Sequence, residues 1–177
     1  MNRRYFLGAL LTAVATPSAI ARSQENGKKY QLSLFHTHTD EYLEITYRIG
    51  SQYQRGALRK LNYFLRDYRT DEITVMDPSL FDLLYSLQRR AGNIGGTYEV
   101  VSAYRSRETN EELRRTSRRV AKNSLHMTGQ ALDLRLRHTS TRTLRDAAVS
   151  LQSGGVGYYR RADFVHVDTG EVRRWGA

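Results

Sequence analysis

Residues 123–133 read NSLHMTGQALD, a run that sets His126 and Asp133 on either side of Gly129. The following ALDLRLRH alternates apolar and polar residues as a half-buried strand does. Leu132, Leu134 and Leu136 then face a core, and Ala131, Asp133 and Arg135 share the other face, which is either plain solvent or the floor of a site. Of the five histidines, only His126 and His166 occupy strand or turn positions beside carboxylates and glycines. With no cysteine in the chain there is no thiolate chemistry and no disulfide framework, so any metal must be held by histidine and carboxylate. Catalytic zinc typically takes three protein ligands and keeps a fourth position open.

These residues need elements to carry them. Two strands are predicted at 30–36 and 42–49, joined as a hairpin by the polar THTDE turn, where His36 and His38 are expected to be exposed to solvent. An amphipathic helix follows over 55–68, and a second opens at Asp77 as N-cap with Pro78 in its first turn and stops near Gly92. TYEVVSAY, from Thr97, is a strand whose C-terminal end delivers Arg105, and RSRETNEELRR suggests a short exposed helix. A basic loop leads into the opening motif. The strand over 130–137 precedes a helix over 141–152, a strand from SGGVGYY, and a last short strand in DFVHVDTG. His138 ends its strand in a basic context and is expected to be solvated. The whole describes an α+β domain with a small, mainly antiparallel sheet flanked by helices.

The chain of 177 residues suits one domain. Residues 1–21 have the layout of a cleavable export signal: a basic start, an apolar run too short to span a bilayer, and a small-x-small end at Ala19-Ile20-Ala21. Arg3 and Arg4 followed by Tyr5, Phe6 and Leu7 resemble a twin-arginine signal. A polar segment, 22–29, then leads to a domain over 30–177. Cleavage removes two arginines and no acid from a net charge of +10, leaving +8. That balance suits a polyanion, and in an exported protein it points to the cell wall or a membrane surface and away from nucleic acid. No stable membrane insertion is expected once the signal is removed, and lipidation at the cleavage site is excluded for want of a cysteine. The run Arg114, Arg115, Arg118, Arg119 and Lys122 reads most simply as a solvated basic face.

Ser124-x-His126-x-x-Gly129-x-Ala131-x-Asp133, followed downstream by Asp163-x-x-His166, resembles the signature of the zinc D-Ala-D-Ala metallopeptidases, whose fold is shared with the hedgehog signalling domain. The first segment is specific and the second is short. VSAYRS from Val101 adds a third match, and the exported portion as a whole is most similar to the murein endopeptidase K group of that family. The resemblance implies zinc held by His126, Asp133 and His166, Asp163 as general base, Arg105 polarising the scissile carbonyl, and Ser124 in support. Asp168, two residues past His166, shares its face and, of the two roles open to it, rival ligand or acceptor behind His166, is assigned the second. Many of the family's carboxypeptidases carry Glu where this chain has Asp163, a side chain one methylene shorter.

His126 and Asp133 are an odd number of residues apart, so Gly129 must turn the chain between them. Asp163, at an odd distance from His166, should lie in the loop before the strand. The activity implied is zinc-dependent hydrolysis of peptide crosslinks in peptidoglycan, in the periplasm. Two rivals stay open: a D,D-carboxypeptidase or dipeptidase, which needs a closed pocket, and a wall-binding module that keeps zinc for structure.

Overall fold

The computed structural model describes residues 27–117 and 120–176. The export signal and most of the polar segment lie outside the described residues, as do Arg118 and Arg119. Eight strands form one sheet in the order β3-β2-β1-β4-β5-β7-β6-β8. They are β1 (Lys29–His36), β2 (Tyr42–Ile49), β3 (Gln52–Tyr53), β4 (Thr97–Ser102), β5 (Ala131–Leu136), β6 (Gly155–Tyr159), β7 (Phe164–Asp168) and β8 (Arg173–Trp175). Pairing is antiparallel except at β1/β4 and β6/β8. The sheet is α+β in character, as expected, but wider than the small one anticipated, because the short edge strands β3 and β8 are too brief to show a pattern.

Four helices accompany it: α1 (Arg55–Phe64), α2 (Pro78–Arg90), α3 (Arg107–Thr116) and α4 (Thr141–Leu151). The start of α2 follows its sequence, with the Asp77 carboxylate accepting from Ser79 N and proline in the first turn. Helix α1 ends at Phe64, short of the expected Tyr68. The two residues beyond Leu65 are drawn off by long-range bonds: Arg66 reaches Glu41 and Asp71, and Asp67 accepts the backbone N–H of Ser106.

Alternation decides which face of the sheet is core. Leu132, Leu134 and Leu136 of β5 and Val165 and Val167 of β7 are buried with Leu80, Leu84, Leu87 and Leu144 of α2 and α4. The register then turns Ala131, Asp133, His166 and Asp168 to the opposite face, with Asp133 paired to His166 and Ala131 to Asp168. Around β5 and β7 the apolar packing is thus on one side, and the buried residues Asp133, His166 and Asp168 are on the other.

One hairpin expectation is corrected. His38 is exposed, but His36, the last residue of β1, is only 1% exposed and packs edge-on against Phe64 and Tyr68. It falls on the same inward face as Leu32 and Leu34, which outweighs its place beside the turn. His138 is exposed, in agreement with the reading of its sequence.

Candidate metal centre

The motif 123–133 folds as a 3-10 helix, Leu125–Thr128, followed by β5. The Ser124 hydroxyl caps its start by accepting from His126 N at 3.3 Å. Gly129 ends it at φ +69°, where a Cβ would lie 2.6 Å from the carbonyl of Val75. Only glycine fits that turn, and the turn is what brings His126 back over Asp133.

Three donors meet there. His166 Nδ1 lies 2.8 Å from Asp133 Oδ1, His126 Nε2 lies 3.3 Å from the same oxygen, and the two ring nitrogens are 3.2 Å apart. All three residues are buried, and they form the one histidine and carboxylate group suited to a cation among the described residues. Ligands held about 2.0–2.2 Å from a tetrahedral zinc stand roughly 3.3 Å from one another, so the triangle has the right size.

The ring orientations have causes outside the triangle. His126 Nδ1 donates to the carbonyl of Ala103 at 2.6 Å, which leaves the Nε2 lone pair facing Asp133. His166 Nε2 donates to Asp168 Oδ2 at 3.0 Å, which turns Nδ1 inward. Asp168 is fully buried and accepts further bonds from Gly155 N, Gly170 N and both terminal nitrogens of Arg173. It stands behind His166 as an acceptor, which decides against its being a rival ligand in this geometry.

Burial opposes the charge on Asp133, yet His126 and His166 outweigh it and hold the carboxyl well below its usual range. Burial lowers His126. It acts the same way on His166, where hydrogen bonds to Asp133 and Asp168 prevail and raise the imidazole. Cation binding at the triangle therefore competes with a proton at Nδ1.

Arg105 sits at the edge of the group. Its Nε donates to Ser102 Oγ at 2.8 Å and its Nη2 to Asp133 Oδ2, and its backbone N–H binds the His126 carbonyl at 3.2 Å. Nη1 has no hydrogen-bond partner among the described residues. Arg105, Ser124 and the triangle line one cleft of about 520 Å³, walled on one side by Leu113, Val120 and Leu125 and on the other by Tyr159, Phe164 and Trp175.

Asp163 is not brought to this cleft. It lies in the turn before β7, as its spacing requires, at φ +50°. Its carboxylate accepts from Thr141 Oγ1 at 2.7 Å and faces a separate hollow with Glu99 and Arg135. Thr141 is the first residue of α4, whose N-terminus attracts a carboxylate. Asp163, expected as the general base, is thus not brought to the triangle in this structure. No carboxylate but Asp133 lines the cleft among the described residues.

The sequence reading missed Arg173, Tyr159, Phe164 and Trp175. Their signal lay in GVG of β6, which pairs with β8 so that Gly155 stands beside Arg173 and Gly157 beside Trp175. A Cβ on Gly157 would come within 2.6 Å of the indole. The missing side chains give Arg173 and Trp175 room to lean over the sheet, where Trp175 lies 5.1 Å from the His166 ring and donates to the Tyr159 hydroxyl at 3.0 Å.

A buried His-Asp-His triangle on the open face of a mixed α+β domain is a donor set suited to a metal ion. Residues 24–175 match the peptidase M15 family described as peptidoglycan L,D-endopeptidase MepK, and the chain belongs to that family. It is 42% identical over 177 residues to the peptidoglycan L,D-endopeptidase MepK of Escherichia coli K12, covering 98% of this chain and 97% of the relative. The same identity and coverage hold for the protein of that name in Shigella flexneri. The probable peptidoglycan L,D-endopeptidase MepK of Haemophilus influenzae is 37% identical, with 98% of this chain and 95% of the relative covered. No solved structure matches the chain significantly.

Proposed function

We propose that this protein is a zinc-dependent endopeptidase that hydrolyses peptide crosslinks of peptidoglycan, with the L,D bonds named for its relatives as the bonds cut. The observation that carries the reading is the convergence of His126 Nε2, Asp133 Oδ1 and His166 Nδ1 on the floor of an open cleft. His126, Asp133 and His166 would hold the ion. Zinc held there would lower the pKa of its water to near neutrality and so supply a nucleophile.

The chain's own groups set up the rest. Ala103 and Asp168 fix the two imidazoles in the tautomers that present lone pairs inward, and Arg173 with the amides of Gly155 and Gly170 keeps Asp168 charged and in place. Arg105, anchored through two of its nitrogens, offers Nη1 to the carbonyl oxygen of a peptide in the cleft, where it stabilises the oxyanion as it forms. Ser124 orients His126 through its backbone and takes no part in proton transfer. Tyr159, Phe164 and Trp175 exclude water from one side.

A carboxypeptidase needs a wall closing one end and a cation for the terminal carboxylate. Here a second cavity lies against the cleft, sharing Tyr159 and Trp175 as lining, which favours a substrate that extends beyond the cleft. Action on the wall requires export, and the signal read at residues 1–21 supports the periplasm as location and the twin-arginine system as route. No helix among the described residues is long and apolar enough to cross a membrane.

Digestion of crosslinked peptidoglycan by the mature protein, with chelator and with zinc restored, tests the reading. Mass spectrometry of released muropeptides should show dimers converted to monomers, a conversion stopped by the chelator and recovered with zinc. Trimming of terminal residues alone would make it a carboxypeptidase, and unchanged material a binding module.

A further inference from the structure

Beyond the shared wall of Tyr159 and Trp175 lies the second cavity, about 650 Å³, lined also by Tyr158, Arg160, Arg161 and Ala162. No acidic residue lines it. Both arginines belong to the turn between β6 and β7, and that turn is pinned from three directions. Ala162 N donates to the Tyr159 carbonyl at 3.1 Å, Arg135 donates to the carbonyls of Ala162 and Asp163, and Asp163 is tied to Thr141. The same bonds that fix Asp163 thus hold the turn that carries Arg160 and Arg161.

Neighbouring arginines are spoken for: Arg135 by those carbonyls and Arg173 by Asp168. Arg160 and Arg161 make no hydrogen bond or ion pair among the described residues. Two exposed arginines on a turn are ordinarily a solvated surface. Here they border a cavity that shares Tyr159 and Trp175 with the metal cleft, on a turn held by several hydrogen bonds. A guanidinium pair so placed suits a carboxylate, which it can bind bidentately.

Given the endopeptidase reading, on which this rests, we propose that the cavity is a subsite for the acidic arm of the crosslinked stem peptide. Its free carboxylate is held by Arg160 and Arg161, while Tyr159 and Trp175 guide the chain between that anchor and the cut bond.

The test uses purified muropeptide dimers with free stem-peptide carboxylates and the same dimers amidated, with wild type and the R160Q/R161Q double variant. Wild type should prefer the free-carboxylate dimer by about tenfold in kcat/KM, equivalent to roughly 1.4 kcal/mol. The double variant should lose that preference through a raised KM, with zinc content and melting temperature unchanged. Arg161→Gln alone, showing part of the loss, serves if the double variant does not fold. Equal treatment of the two dimers by wild type, or a preference that survives in the variants, overturns the subsite. If wild type cleaves neither dimer, the endopeptidase reading is what fails, and calorimetric binding of the two dimers decides the subsite: tighter binding of the free-carboxylate dimer by wild type than by the variant supports it, and equal binding overturns it.

Discussion

His166 donates from Nε2 to Asp168 Oδ2 at 3.0 Å while its Nδ1 faces Asp133 at 2.8 Å, so one ring is oriented by a carboxylate on each side. Asp168→Asn keeps the shape and weakens the acceptor. Loss of such an outer partner typically costs about 10–100-fold in metal affinity. Competition with a chromogenic chelator should show a drop of that size, and an unchanged affinity would mean that packing against Trp175 alone orients the ring.

Arg105→Gln should keep zinc near full occupancy and lower kcat by about 10²–10³, the usual loss for one oxyanion donor. A rise in KM with unchanged kcat would place Arg105 in ground-state binding instead.

Asp163→Asn can still accept from Thr141, and Asp163 does not line the cleft. We expect kcat/KM within about threefold of wild type and a melting temperature little changed. A loss of a hundredfold or more would return Asp163 to the role of base.

His36 supplies a prediction about pH. Burial first, then the nearby His38, lowers its imidazole from 6.5 to about 4, and Nε2 is buried with no hydrogen-bond partner among the described residues. A histidine depressed in the folded state binds fewer protons there than in the unfolded chain, so stability is full above about pH 6.5 and falls as the pH drops toward about 4. Thermal melts of wild type should decline across that window. His36→Phe keeps the ring contacts with Phe64 and Tyr68 and should flatten the decline; equal slopes would assign it to other groups.

How much of this was legible depended on range. The cap at Asp77, the turn at Gly129 and the alternation of β5 are local rules, and each element they implied formed close to where they put it. The metal-binding triangle could be named because its residues lie in short typed segments. The placing of Asp163 in the loop before β7 was legible from its spacing, but its turn toward Thr141, a helix start 22 residues away in sequence, follows from no spacing rule. Arg173 and Trp175 were passed over for the same kind of reason: they matter only because β8 lies parallel to β6, opposite two glycines. His36 shows local polarity losing to its place on a buried face.

The pairing of Asp133 with His166 across β5 and β7 also acts on folding. Side chains alternate between faces, so a slip of one residue between these strands would send leucine and valine into the cleft and drive the ligands into the apolar core. A chain in the wrong register cannot pass for an enzyme awaiting its metal, because the error that spoils the site also removes the packing that keeps the domain folded. The strand register and the donor triangle therefore stand or fall together.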